Sequence, residues 1–144
     1  MNIPRELMYS ESHEWIRIEG KTAYIGISDY AQESMGDIVY VEIPETGGGV
    51  DRGDEIATIE SVKAASAIYA PLTGTIKEAN SELEETPELI NQKPYDTFIF
   101  AIEMSDPSEA EELWDAAAYE KFLEAEAEAE AEAEAEAEAE AENQ

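Results

Sequence analysis

Lys63 is the residue whose type and surroundings point most directly to chemistry. It lies in the run Glu60-Ser61-Val62-Lys63-Ala64 and is the sole cation between Arg52 and Lys77. A lysine amine can be acylated, and an exposed lysine on a rigid turn with small neighbours leaves a modifying enzyme room to reach it. By position alone, a lone lysine between acidic strands is usually a solubilising surface residue.

Other common reactive residues are scarce in this chain. It has no cysteine and one histidine, His13, which excludes disulfides and cysteine nucleophiles and argues against a histidine triad or a two-histidine metal site. We predict no metal site. With 36 acidic residues, carboxylates come close together by chance, so their pairing does not indicate an acid-base hydrolase.

The charge of the chain is extreme, at -28 over 144 residues. Removing the ten glutamates of residues 124–144 from this total leaves -18 for residues 1–123. Such a surface repels nucleic acid and anionic membranes. It suits basic partner enzymes, or it preserves solubility in a high-salt cytoplasm.

No segment predicts membrane insertion or export. An apolar run of the ~20 residues that a membrane span requires is missing. The first residues, Met1-Asn2-Ile3-Pro4-Arg5-Glu6, resemble neither a signal nor a transit sequence. We expect a soluble, cytoplasmic protein.

Lys63 must be positioned by the strands on either side of it. Short runs of apolar and β-branched residues between Gly and Pro turns predict a mainly β barrel or sandwich. The predicted strands form a hairpin over 13–27 and then occupy 37–43, 55–62, 64–70, 75–79 and 97–103. Ser28 or Asp29 is predicted to cap a short helix that ends at Gly36, and one helical turn is predicted over 88–91.

The C-terminal part predicts a helix followed by a tail. Ser105 or Asp106 is the expected cap, with Pro107 in the first turn. The expected buried face consists of Leu113, Trp114, Ala117, Tyr119, Phe122 and Leu123. Glutamate alternates with alanine over residues 124–142, which places like charges four residues apart. We therefore divide the chain into a domain over 1–123 and an acidic tail over 124–144, frayed at low salt and more helical when salt screens it.

Several segments, in order, give the sequence a specific resemblance. Besides the run around Lys63, they are Ser12-His13-Glu14-Trp15, Gly26-Ile27-Ser28-Asp29-Tyr30-Ala31-Gln32, Gly36-Asp37-Ile38-Val39-Tyr40-Val41-Glu42-Ile43-Pro44, Ala70-Pro71-Leu72-Thr73-Gly74, Pro87-Glu88-Leu89-Ile90-Asn91 and Pro94-Tyr95. Together they resemble the H protein family of the glycine cleavage system over about residues 7–123.

Two related classes of carrier protein fit the sequence around Lys63 less well. Biotin carriers typically place Met on both sides of the lysine, and 2-oxoacid dehydrogenase lipoyl domains usually place Asp before it.

The resemblance implies a small barrel-sandwich hybrid of the lipoyl/biotinyl-domain type with a C-terminal helix. It implies lipoic acid attached to Lys63 as an amide and a carrier without its own catalytic site. In this family the carrier takes an aminomethyl group from a pyridoxal-phosphate glycine decarboxylase to a tetrahydrofolate-dependent aminomethyltransferase. It then passes reducing equivalents to dihydrolipoyl dehydrogenase, and lipoate-attaching enzymes load it. The alternative is an H-like carrier that serves lipoate relay or another one-carbon or redox system.

The resemblance also suggests where the loaded arm docks. Its candidates are Ser12, Glu14 and Ser34, with Glu14 binding a protonated amine or, alternatively, standing as one more solvated acid. His13 is expected to be structural and Trp15 to lie in the core. Three departures from the family pattern leave the docking open: Ala67 where an acid is common, Ser34 where some members have histidine, and Thr97-Phe98 where Gly-Trp is common.

Overall fold

The computed structural model describes residues 2–142, and the side chains of residues 2–132. The strands are β1 (Met8–Tyr9), β2 (Glu14–Glu19), β3 (Thr22–Ile27), β4 (Ile38–Glu42), β5 (Gly49–Val50), β6 (Glu55–Ser61), β7 (Ala65–Tyr69), β8 (Gly74–Ala79) and β9 (Phe100–Met104). The helices are α1 (Asp29–Met35), α2 (Glu82–Glu85), α3 (Leu89–Gln92) and α4 (Ala116–Glu142), with a 3₁₀ helix over Pro107–Glu112.

The strands form two antiparallel sheets. One sheet has the order β1-β2-β3-β9-β8-β5, and the other has the order β4-β6-β7. Their inward side chains meet in one core, in which Ile16 and Ile25 of the larger sheet join Val41, Ile59 and Ile68 of the smaller one. The mainly β fold predicted from the sequence is therefore confirmed.

The short helix α1 follows its sequence signals. The Ser28 hydroxyl accepts a hydrogen bond from the Ala31 backbone amide at 3.2 Å, as an N-cap does. Gly36 ends the helix with φ of 77°, a left-handed conformation that glycine adopts without a Cβ clash. Both ends of α1 were predicted correctly.

A second, aromatic cluster fixes the N-terminal strands to α4. Tyr9 and Tyr119 stack with ring centroids 4.6 Å apart, and Trp15 is fully buried beside them. The Trp15 indole N–H donates to the Pro94 carbonyl at 2.8 Å, so the buried polar group is satisfied. Trp15 is thus a core residue, as expected.

The C-terminal prediction needs correction. Asp106 caps a 3₁₀ helix that ends at Glu112, and α4 starts separately at Ala116. The Asp115 side chain accepts from the Ala118 amide at 2.8 Å, which starts the new helix. Ala117 is exposed and Ala116 is buried in its place.

The tail was expected to fray, but α4 runs without interruption through residues 124–142. The composition boundary at residue 123 therefore falls inside one helix. Alanine and glutamate both have high helix propensity, which offsets the repulsion between like charges. The division into domain and tail stays a prediction, and Gln144 lies outside the described residues.

Candidate functional site

Lys63 lies on a two-residue hairpin turn between β6 and β7. The Ser61 amide donates to the Ala64 carbonyl at 2.8 Å, which closes the hairpin. The Ser61 hydroxyl accepts from the amides of Lys63 at 3.2 Å and Ala64 at 3.0 Å. The Val62 amide donates to the Asp37 carbonyl at 3.0 Å. The turn is therefore held from within and from the neighbouring strand, while Lys63 itself is exposed.

Gly36 borders the Lys63 side chain. A Cβ built on Gly36 would stand 2.8 Å from Lys63 Cε, so the absence of a side chain leaves room for the lysine. Asn91 fixes this segment, because its amide donates to the Gly36 carbonyl at 2.9 Å and its oxygen accepts from the Ile38 amide at 2.9 Å. The sequence predicted Gly36 as a helix end, and its contact with the Lys63 side chain follows from the tertiary structure.

Gly36→Ala is expected to slow acylation of Lys63 and to destabilise the fold by about 1 kcal/mol, since φ of 77° strains a residue with a Cβ. Gly20→Ala is the matched control. Gly20 also has positive φ, at 62°, but its Cβ would meet nothing within 4 Å. Urea denaturation should show a larger loss for Gly36→Ala than for Gly20→Ala, and mass spectrometry should show slower acylation only for Gly36→Ala. Equal acylation rates would contradict the role of Gly36.

A cleft of about 500 Å³ lies at the far end of β7 from Lys63. Its lining comes from four separate parts of the chain: the β1–β2 loop, the loop before β6, the end of β7 and the segment before α4. Ser12, Glu14, Arg52, Tyr69 and Trp114 are among the residues that form it. Arg52 is paired with Glu112 at the rim. The sequence singled out Ser12 and Glu14, but it gave no signal for the other three.

Glu14 is the unusual group in this cleft, because its carboxyl group is 1% exposed. The hydroxyls of Ser10 and Ser12 donate to Glu14 Oε1 at 2.7 and 2.8 Å. No donor among the described residues reaches the buried Oε2 with hydrogen-bond geometry. Burial raises the pKa of Glu14, and the Ser10 and Ser12 hydroxyls together with the Tyr69 backbone amide oppose that rise. A buried carboxylate oxygen without a partner is costly, which suits a site that receives a cationic group.

The outward face of β7 connects Lys63 with the cleft. Side chains alternate along a strand, so Ala65, Ala67 and Tyr69 share one face. The short side chains of the two alanines do not project far from this face, and Tyr69 at its end lines the cleft. The distance from Lys63 to Tyr69 is about 20 Å at the usual rise of a strand.

The remaining sequence candidates lie elsewhere. Ser34 is exposed on α1, outside the lining of the cleft, so the structure does not bring it together with Ser12 and Glu14. His13 Nδ1 lies 2.9 Å from the Tyr119 hydroxyl, and the His13 ring packs on Tyr30 and Phe122. His13 therefore joins the N-terminal strands to α4, which agrees with a structural role.

Comparison with known proteins agrees with this architecture. The family model described as glycine cleavage H-protein matches residues 7–126. The glycine cleavage system H protein of Syntrophomonas wolfei is 51% identical over 126 residues, covering 88% of this chain and 97% of the relative. That of Thermus thermophilus is 50% identical over 127 residues, covering 88% and 99%. The crystal structure of a glycine cleavage system H protein from Mycobacterium marinum matches with a TM-score of 0.74 at 32% identity, covering 81% of this chain and 95% of that one.

By these matches, the chain has a lipoyl-domain-like barrel-sandwich fold with a C-terminal helix. The chain belongs to the glycine cleavage H-protein family. Members of this family are lipoyl carriers in glycine catabolism. Among residues 2–142, no helix is both long and apolar enough to cross a membrane.

Proposed function

We propose that Lys63 carries lipoic acid as an amide and that the chain serves as the mobile carrier of glycine cleavage. The observation that supports this most is the exposed lysine on a rigid two-residue hairpin, in a chain of the H-protein family. Acylation needs a free amine that an enzyme can approach from several directions. The neighbours Ser61, Val62 and Ala64 leave that approach open, and the hydrogen bonds of the turn keep Lys63 in one place.

The residues along β7 and in the cleft fit a tethered arm. When bound, the lipoyl group supplies sulfur atoms that accept a one-carbon amine unit and reducing equivalents. Ala65 and Ala67 provide a low surface for its aliphatic chain. Glu14, with Ser12 beside it, places a buried carboxyl group at the far end of the path, where a protonated amine would pair with it.

The proposed partners are a pyridoxal-phosphate glycine decarboxylase, a tetrahydrofolate-dependent aminomethyltransferase and dihydrolipoyl dehydrogenase, after loading by a lipoate-attaching enzyme. The chain moves the aminomethyl group between the first two and reducing equivalents to the third. Tethering keeps the carried group at high local concentration near each active site. The chain needs no catalytic residues of its own for this role.

Reconstitution with these three enzymes and labelled glycine tests the proposal. The lipoylated chain is expected to support release of labelled carbon dioxide and transfer of the labelled one-carbon unit to tetrahydrofolate. Omission of the chain should stop both reactions. If the chain is lipoylated at Lys63 but supports neither reaction, it is an H-like carrier for lipoate relay or another one-carbon or redox system.

Glu14→Gln is expected to stabilise the unliganded fold at pH 7, because it removes a buried ionisable group. Burial raises the folded-state pKa of Glu14 above its unfolded value, so the folded state binds more protons between these two values. The wild type therefore loses stability as the pH rises through that window, and the difference from the variant disappears below the unfolded pKa.

Urea denaturation at several pH values measures this difference. Glu11→Gln is the matched control, since Glu11 lines the same cleft but is exposed. It should change the free energy of unfolding by less than about 0.5 kcal/mol. A Glu14→Gln variant that is less stable than the wild type at pH 7 would show that the carboxylate is satisfied in the free protein.

A further inference from the structure

An apolar patch surrounds the root of Lys63 and has no partner among the described residues. Its members are Val39, Tyr40 and Val62, which are 54%, 50% and 67% exposed. Five large apolar side chains are exposed in the described part of the chain, and these three occupy one corner. The three residues lie on neighbouring segments of the smaller sheet. Tyr40 pairs with Glu60, and the Val62 amide donates to the Asp37 carbonyl.

A β-bulge creates the patch. Ile38 pairs with Ser61 and Tyr40 pairs with Glu60, so Val39 is an extra residue in β4. A regular strand would turn Val39 and Tyr40 to opposite faces, but here both are exposed while Ile38 and Val41 are buried. The backbone is therefore shaped to present two adjacent apolar side chains beside the turn that carries Lys63.

Charge limits which partner fits this patch. Exposed carboxylates of Asp37, Glu42 and Glu60 border it, and Lys63 is the sole basic residue in β4, β6, β7 and the Lys63 turn. A second copy of this chain would bring the same carboxylates and a net charge of -28 against them. The patch fits a partner with an apolar surface bordered by lysine or arginine side chains.

We infer that the patch is the docking surface for the enzyme that acylates Lys63, an inference that rests on the proposed function. An attaching enzyme must bring an activated acyl group to Nζ itself, so it has to contact the surroundings of Nζ. Nζ attacks the acyl carbon of an acyl adenylate, the C–N bond forms, the C–O bond to AMP breaks, and one proton is released. An enzyme that acts only on the distal end of the arm does not have to reach Nζ.

Loading of the full-length unmodified chain tests this surface. An ATP-dependent lipoate–protein ligase with lipoate and ATP is the probe, and intact mass gives the initial rate. Val39→Ser/Tyr40→Ser is expected to lower kcat/KM for loading by about tenfold or more. Ile18→Ser is the matched control: Ile18 is also exposed, at 38%, but lies on β2 in the other sheet. Its loading should stay within about twofold of the wild type.

A second measurement separates loading from carrying. The double variant, loaded to completion with excess ligase, should support glycine cleavage at the wild-type rate. Loading of the double variant at the wild-type kcat/KM would overturn the inference, and so would an equal loss in the Ile18→Ser control. A loaded variant that fails in glycine cleavage would overturn the assignment of the patch to the acylating enzyme alone. A wild-type chain that is never loaded at Lys63 would overturn the proposed function itself. A wild-type chain that is loaded, together with a double variant that is loaded equally fast, would overturn only the docking surface.

Discussion

Lys63→Arg is expected to reduce the glycine cleavage supported by this chain by about 10²-fold or more, to the level seen without a carrier. Arginine keeps the positive charge and a similar length, but its guanidinium stays protonated and does not form the amide. Because Lys63 is exposed and its backbone amide makes the turn hydrogen bond, the fold should be retained. The change in the free energy of unfolding should stay below about 0.5 kcal/mol.

Lys21→Arg is the control for this experiment. Lys21 is also an exposed lysine next to a hairpin turn, the one between β2 and β3. Its replacement should leave both lipoylation and glycine cleavage unchanged. Intact mass, the reconstituted reaction and urea denaturation together give the result. Glycine cleavage by Lys63→Arg at more than a few per cent of the wild-type rate would mean that another residue carries the group.

Gly74→Ala is expected to destabilise the fold by about 3 kcal/mol or more. Gly74 starts β8 and lies between β5 and β9, paired with Val50 and Met104. A Cβ there would stand 2.7 Å from Ile102 Cγ2 and closer still to the Glu103 carbonyl oxygen, which belongs to the backbone and cannot turn aside. The strand would have to move away from its neighbour.

Gly48→Ala provides the comparison for Gly74→Ala. A Cβ on Gly48 would meet nothing within 4 Å. Its free energy of unfolding should change by less than about 0.5 kcal/mol, measured by urea denaturation with circular dichroism. Equal midpoints for the two variants would show that β8 and β9 are further apart than the structure places them.

The hairpin and its lysine were predictable because the signals are local. Small residues at Ser61 and Ala64, between two apolar strands, indicate a tight turn, and Ser28 and Gly36 indicate the ends of α1. Each of these features depends on residues within a few positions of one another. The predicted strand bounds differ from the observed ones by up to three residues, because the end of a strand depends on its partner.

Only part of the lining of the cleft could be predicted, because the cleft is assembled from segments that are distant in sequence. The sequence selected Ser12 and Glu14 through the family resemblance. Arg52, Tyr69 and Trp114 reach the same cleft only through the tertiary structure. No local pattern reports that the carboxyl group of Glu14 is buried.

Two features could not be predicted from the sequence because they depend on backbone pairing between distant segments. The bulge at Val39 is defined by its register against β6, and Asp37-Ile38-Val39-Tyr40-Val41-Glu42-Ile43 reads as one regular strand without that partner. The break before α4 depends on the Trp114 backbone, which bonds to Tyr9 in both directions at 2.8 and 2.9 Å. This bridge holds the chain extended between two segments that both have helical composition.

Mass spectrometry of the peptide that contains Lys63 shows directly whether Lys63 carries the cofactor. The protein should be purified from a host that synthesises lipoate and has lipoate-attaching enzymes. Fragmentation is expected to place one lipoyl group on Lys63 and none on the other lysines. An unmodified Lys63, or a lipoyl group on Lys21, Lys77 or another lysine, would contradict the account.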